Sequence, residues 1–528
     1  MKELIELNEA LKDIKFDETI IIFGFEKGVY LEELETIICE KNNVYIIEPD
    51  EIEYENYKNK VNYKNINLIS LYNKNVESII SDIINKKTFL NLSIQIYGQY
   101  DQIYEYEWNK LKSIIDKNFY KCSVDVATND TFKLITLNNI ISNLKQLNNS
   151  YKFDSYLNSN ENVAALVVSA GPSFDKNLQT MIENKDKLDK FFIIAGNRTF
   201  KPLLKNGITP DLVVSIDPQD ITYEMMEDNI DSDVPFLYCE KSNYKIVKEY
   251  KGIKVAISQG ILNNIKSLED MVICLSGGSI AHVCTDVAFL LGCNPIIFLG
   301  QDFGFTKGED HSKIVRHKID KAFDEKDCII VKDVNGDDLY TSELLNLYKE
   351  NLEKMIELYS LEKETIDFIN ASYGANIKKA KHEELKDVLN RDYKNKKIAL
   401  KVNNSKFNIN VDEEINSIKF YLEKSKTNIL KSKSICEEII NNPTRENIIN
   451  FGFVLKCIDD FMKDRKSVYI ENYIATFLVY IKEKLFTMKA SEYGVLSRDI
   501  IYQSNVFRAY MDELEVFVDE IYNLIKVY

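Results

Sequence analysis

Six short apolar runs recur through the middle of the chain, and hardly any of them alternates with polar residues. They are Val163–Ser169, Phe191–Ala195, Leu212–Ile216, Phe236–Cys239, Val255–Ser258 and Ile296–Leu299. A strand with one wet face reads apolar, polar, apolar; an unbroken apolar run has to be buried on both faces. Their spacing is that of βαβ repeats. The segment is therefore expected to form a mostly parallel sheet covered by helices, an α/β fold. Two later segments, Cys328–Lys332 and Thr365–Ile369, are expected to add edge strands.

The first 130 residues carry a smaller version of the same logic. A β-like run, Thr19–Phe23, meets the turn Gly24-Phe25-Glu26-Lys27-Gly28. A helix, Leu31–Cys39, and a second strand, Val44–Ile47, follow, ending in Glu48-Pro49-Asp50. Strand, glycine turn, helix, strand and acid is the order of a Rossmann-like unit that binds nucleotide or S-adenosylmethionine. Only two of the three expected glycines are present, so the turn either holds such a ligand or simply turns the chain. Tyr97–Asp101 precede a helix with the single tryptophan, Trp108, expected in the core. Residues near 131–160 read as polar helices. From about 401 onward glycine-rich turns disappear and helical periodicity takes over, as in a bundle with Tyr and Phe on its apolar faces. The expected division is a Rossmann-like domain at 1–130, a central α/β domain at 131–400 and a helical domain at 401–528.

Composition limits what such a chain can do. Of its 528 residues 45% are hydrophobic, enough for several cores, so global disorder is excluded. Lys and Arg number 67 against 83 Asp and Glu, a net charge of −16. Nucleic-acid and membrane-surface binding need a basic field and are not expected, although one local basic site for a phosphate-bearing ligand is compatible. The nine cysteines form no CxxC pair, which removes the usual signature of zinc and redox sites. Most lie in apolar runs and read as reduced and buried. The opening MKELIELNEALKDIKFDE is amphipathic without a secretory core, and no apolar run is long enough to span a bilayer. A cytoplasmic location is expected.

Ligands of doubly wound sheets sit beyond the C-terminal strand ends, so the residues there are the candidates. After the first central run come Ser169-Ala170-Gly171-Pro172-Ser173-Phe174-Asp175, small residues opening a helix that points free N–H groups at any phosphate. After the second come Gly196-Asn197-Arg198, with an amide for a base or ribose and a guanidinium for phosphate. After the third, Asp217 and Asp220 suit either a divalent ion (Mg²⁺ or Mn²⁺) or ribose hydroxyls. Ser276-Gly277-Gly278-Ser279 opens another helix, with His282 in its first turn, and forms a second anion nest. Gly300-Gln301-Asp302-Phe303 leads to Glu309-Asp310-His311, where Asp302 or His311 suits general acid–base work. Each has a structural alternative: turning the chain, capping a helix, or a quiet buried histidine at His282.

The runs Val167–Asp175 and Asn206–Pro218, with Gly300-Gln301-Asp302-Phe303, Asp367–Asn376 (DFINASYGAN) and the early Phe23-Gly24-Phe25 and Ile47–Asp50, resemble the motility accessory factor family. The resemblance implies a flagellin glycosyltransferase. It would move a nonulosonic acid from a CMP-activated donor to Ser or Thr of flagellin. The middle domain is also similar to bacterial sialyltransferases, which places donor binding at Gly171, Ser173 and Asn197. It is similar as well to archaeal hydroxymethylpterin pyrophosphokinase, which uses ATP and a metal near Asp217. Two rivals to the transferase follow: a metal-dependent pyrophosphokinase on a pterin-like alcohol, and a non-catalytic flagellin-binding factor. An N-terminal methyltransferase is a third.

Overall fold

The computed structural model describes Leu7, Leu11 and residues 13–315, 323–395, 406–485 and 487–528. Most of the amphipathic opening stretch lies outside these. By packing, the chain divides into two compact units: residues 1–133 with 417–527, and residues 134–416 with Tyr528.

The first unit is built on four parallel strands, β1 (Thr19–Phe23), β2 (Asn43–Glu48), β3 (Ile66–Ser70) and β4 (Leu92–Ile96), in the order β3-β2-β1-β4. Every residue of β1 is buried, as its unbroken TIIIF run requires. Trp108 packs on Phe23 at the edge of this core, with ring centroids 5.2 Å apart. The C-terminal helices, including Arg445–Lys463, Glu471–Leu485 and Ile500–Ile525, belong to this unit. They carry an aromatic core in which Phe477 packs on Phe517 at 4.8 Å. Two backbone hydrogen bonds, Phe16 N–H to the Met488 carbonyl and Ala490 N–H to the Ile14 carbonyl, join chain start to chain end within it.

The second unit holds a nine-stranded sheet, and every pairing in it is parallel. Its strands are β5 (Tyr151–Lys152), β6 (Ala165–Val168), β7 (Phe192–Gly196), β8 (Leu212–Ser215), β9 (Phe236–Tyr238), β10 (Lys254–Ala256), β11 (Ile296–Leu299), β14 (Phe368–Asn370) and β15 (Lys381–His382). The order is β15-β14-β11-β6-β7-β8-β9-β10-β5. Successive residues face opposite clusters. Ala165, Val167, Ile296 and Phe298 join one core; Leu166, Val168, Ile297 and Leu299 join the other. The helix Ile280–Leu290 covers the first face and Phe174–Glu183 the second. Burial on both faces is what the unbroken apolar runs demanded.

Three expectations need correction. Thr365–Ile369 yields a strand, β14, but it lies inside the sheet between β11 and β15 and not at its edge. Cys328–Lys332 is a strand, β12, but it does not extend the sheet. It pairs antiparallel with β13 (Asp338–Ser342) in a separate hairpin. Its mate is ten residues away, closer in sequence than any sheet edge, and loop closure favours the nearer partner. The polar stretch near 131–160 is the end of one helix, Glu105–Leu144, followed by 3₁₀ turns and β5. Among the described residues no helix is long and apolar enough to cross a membrane.

Candidate active site

From β6 the chain steps outward through β7, β8, β9 and β10. It then crosses back to lay β11 on the other side of β6. The crevice where the winding reverses lies between the C-terminal ends of β6 and β11, the position at which doubly wound sheets bind ligands. Ser169, Gly171 and Ser173 follow the end of β6, and Gln301 and Asp302 follow the end of β11.

These two ends are knitted together. The Gly171 N–H donates to the Gly300 carbonyl at 2.8 Å, and the Ser169 hydroxyl to Gln301 Oε1 at 2.7 Å. Asp302 is 3% exposed. It accepts the Ser173 N–H at 2.9 Å and, on its other oxygen, the Ser173 hydroxyl. Burial pushes its pKa up to about 6, against the opposing effect of the Ser173 bonds. Only glycine fits at 171: a Cβ there would lie 2.3 Å from Asp302 Oδ2 and 2.6 Å from the Gly300 carbonyl. The carboxylate thus already takes one of the N–H groups that open the helix Phe174–Glu183.

The DFINASYGAN segment supports Asp302 from behind. The Ala375 N–H donates to the Asp302 carbonyl at 2.7 Å, the Gln301 N–H to Ser372 Oγ at 2.8 Å, and the Tyr373 N–H to Ser173 Oγ at 2.7 Å.

The other candidates approach from the neighbouring strand ends. Asn197 is buried at the start of the helix Asn197–Lys205, its side-chain oxygen accepting the Arg198 N–H. The loop 276–279 comes to the same place, because a Cβ on Gly196 would touch Ile280 at 3.4 Å. Ser279 caps the helix Ile280–Leu290 through the Ala281 N–H. His282 is fully buried, with Nε2 2.8 Å from the Tyr348 carbonyl and its pKa held down by burial. Its ring lies beneath Gly277.

Arg198 ties three strand ends together electrostatically. Burial raises the Asp217 pKa, and the Arg198 charge opposes that rise. The same charge acts on Asp310, where burial, which alone would raise the pKa, is outweighed by His311 and Arg198. His311 Nδ1 lies 3.0 Å from Asp310 Oδ1 on a side chain about a third exposed. The β11 loop is pinned back onto the β6 turn by Ser312, whose N–H donates to the Ala170 carbonyl at 2.9 Å and whose hydroxyl donates to Asp175.

Asp220 does not join the group. Its carboxylate pairs with Lys245 at 3.0 Å and accepts from Asn243, and the Lys245 bond holds its pKa low. Among the described residues no cluster of three or more His, Cys, Asp or Glu side chains could hold a metal ion. With the Asp220 carboxylate engaged by Lys245 and Asn243, Asp217 is the carboxylate left unpaired by lysine after β8.

The N-terminal glycine turn is closed by its own side chains. The Phe25, Glu26 and Lys27 N–H groups donate to Glu48, the Tyr100 hydroxyl and Glu53. Gly24, at φ +102°, lies under the Tyr100 ring, which a Cβ would approach to 2.4 Å. The donors that would cradle a phosphate are taken. Two buried asparagines had no signal in the sequence. Asn139 donates to the Pro218 and Lys241 carbonyls, and Asn143 to those of Glu240 and Ser242, fixing the loops after β8 and β9. They stand four apart on one helix face, a spacing that marks a shared side and not a role.

Comparison with known proteins bears on this arrangement. The family described as 6-hydroxymethylpterin diphosphokinase MptE-like matches residues 138–308. The matched segment includes both asparagines and every strand end up to Asp302, and it stops short of Asp310 and His311. A 6-hydroxymethyl-7,8-dihydropterin pyrophosphokinase of Methanocaldococcus jannaschii is 25% identical over 226 residues, 42% of this chain and 88% of that protein. A solved structure of a MAf glycosyltransferase from Magnetospirillum magneticum AMB-1 matches all of this chain and 83% of its own, with TM-score 0.57 and 12% identity. The chain therefore has the fold of that glycosyltransferase, and its central segment is similar to the MptE-like family. The resemblance to the motility accessory factor family is borne out at that level.

Proposed function

We propose that the protein is a glycosyltransferase. It moves a nonulosonic acid from a CMP-activated donor to Ser or Thr hydroxyls of flagellin, in the cytoplasm, as part of flagellum assembly. The observation that carries this reading is the match of the whole chain, not only its MptE-like centre, to the MAf glycosyltransferase fold.

The site residues take roles consistent with it. The 276–279 loop offers close backbone approach and N–H groups to the departing phosphate or the sugar carboxylate. The Ser169, Gly171 and Ser173 N–H groups are already bonded to Leu299, Gly300 and Asp302, so the turn after β6 shapes the site and does not supply donors from these three. Asn197 reads the cytidine or ribose. Asp302 is locked by Ser173 and shapes the turn. His311 is left as the base toward the acceptor hydroxyl, a role worth roughly a hundredfold to ten-thousandfold in rate. Asp217 bonds ribose hydroxyls: its carboxylate accepts no hydrogen bond among the described residues. Co-expression with flagellin and a CMP-pseudaminic acid pathway tests the reading: the intact mass of flagellin gains one or more nonulosonate residues. An unchanged mass rejects it.

The MptE-like match favours a second reading, diphosphate transfer from ATP to a pterin-like alcohol. It predicts AMP release from ATP, Mg²⁺ and 6-hydroxymethyl-7,8-dihydropterin with no protein acceptor. The transferase reading predicts none.

A further inference from the structure

The β11 loop carries the proposed base, yet nothing in its sequence holds it still. Glycines stand at 300, 304 and 308, and residues 300–315 contain no helix and no strand. One residue in it is wholly buried and polar, Ser312, at 0% exposure. Its three bonding groups are all used locally or across the crevice. The N–H donates to Ala170 on the β6 turn, the hydroxyl donates to Asp175 in the first turn of the helix Phe174–Glu183, and the Ile314 N–H donates to that hydroxyl at 3.2 Å. The start of the loop is fixed by Gln301, Asp302 and the Phe305 N–H bond to the Tyr340 carbonyl, and beyond the Thr306–Glu309 turn Ser312 is its buried anchor. The neighbours of that point are Asp310 and His311, which lie 3.0 Å from each other and within the field of Arg198.

We propose that Ser312 is a positioning residue for transfer: its bond to Asp175 holds the Asp310–His311 pair over the crevice in reach of the acceptor hydroxyl. This rests on the transferase reading and on His311 as base. The bond runs to Asp175 in the helix after the β6 turn, and not to Asn197 or Asp217 at the ends of β7 and β8, so its expected effect falls on the Asp310–His311 pair. Asp175 is then more than a helix-end carboxylate; it receives the anchor.

The test uses the full chain with three variants, Ser312→Ala, Asp175→Ala and the pair together. With CMP-pseudaminic acid and flagellin, each single variant lowers kcat by about tenfold or more, the scale expected when a reacting group is displaced by roughly an ångström. CMP binding, measured by calorimetry, stays within about twofold. The double variant falls no further than the worse single one, because both remove the same bond. A Ser312→Ala enzyme with full kcat, or one whose CMP affinity falls in step with kcat, overturns the proposal. So does simple additivity. A second readout needs no turnover. Carbethoxylation of His311 by diethyl pyrocarbonate, followed by mass spectrometry, runs at least about threefold faster in Ser312→Ala, with His382 unchanged as the internal control. An unaltered His311 rate sinks the anchor even if the wild-type protein transfers no sugar, whereas a faster rate with an inactive wild type rejects only the transferase reading.

Discussion

At the scale of single residues the site is defined by what cannot be enlarged. Gly171 meets Asp302 and the Gly300 carbonyl at distances no Cβ tolerates, and Asp302 cannot swing away because Ser173 holds both its oxygens. Gly171→Ala therefore destabilises by about 1–3 kcal/mol in urea unfolding, the usual cost of forcing atoms into a filled space. Gly452 is the control: it lies within the helix Arg445–Lys463 with open space around it. Gly452→Ala stabilises by roughly 0.5–1 kcal/mol, since alanine loses less entropy in a helix. Buried carboxylates give a second residue-scale expectation. Burial raises the Glu48 pKa from 4.5 to about 7, although the Asp50 and Phe25 N–H groups bond it. The folded chain keeps that proton longer than the unfolded one, so stability falls as pH climbs from about 4.5 to about 7. Asp302 adds to the same slope up to about pH 6. Melting temperatures across pH 4.5 to 8 check it. The wild type loses stability relative to Glu48→Gln over that window, by at most about 3 kcal/mol. A difference curve that is flat, or that rises, refutes the assignment. In the sequence the Gly24–Gly28 turn and the Glu48-Pro49-Asp50 strand end read either as a ligand site or as a plain turn of the chain. Neither pattern revealed that Tyr100, 76 residues on, would fill the space.

Elements were legible where burial alone decides. Continuous apolar runs fixed the direction of the central strands, because only parallel strands under helices are dry on both faces. The strand ends carrying Gly171, Asn197, Asp217 and Asp302 came together because parallel topology leaves them no other edge. Elements were illegible where a partner decides. Cys328–Lys332 has the composition of a strand, but composition does not say whether it pairs with a sheet or with Asp338–Ser342. The helix Glu105–Leu144 looked polar because its last turns use asparagines in place of leucines to meet the strand-end loops. Asn143 is buried and donates to the carbonyls of Glu240 and Ser242 at 3.0 and 2.7 Å. Asn143→Leu leaves both carbonyls without a donor away from water and costs about 1–3 kcal/mol. Asn148→Leu, an exposed position four residues beyond the helix, should change unfolding midpoints by far less. Equal effects at the two sites would show that the clamp carries no special weight.

On the scale of the molecule the division into two units makes a calorimetric prediction. The N-terminal sheet and the C-terminal helices share one unit although some 280 residues separate them in the chain. Phe16 stacks on Tyr493 with ring centroids 5.1 Å apart, and backbone hydrogen bonds pair Phe16 with Met488 and Ile14 with Ala490. The candidate site lies wholly in the other unit, on its own nine-stranded sheet with its own two cores. Units with separate cores unfold as separate cooperative transitions. A ligand that binds only one native unit stabilises that unit alone, by about 2.7 kcal/mol at a hundred times its Kd. CMP added during scanning calorimetry should therefore raise one transition and leave the other in place. Removing residues 487–528 takes Tyr493, the helix Ile500–Ile525 and the Met488 and Ala490 bonds from the first unit and Tyr528 alone from the second, so the CMP-insensitive transition should broaden or fall while the CMP-sensitive one stays within a few degrees. If instead CMP lifts both transitions equally, the chain unfolds as one block. If the truncation abolishes the CMP response, the nucleotide site depends on residues outside the central sheet, and its assignment to the β6–β11 crevice fails.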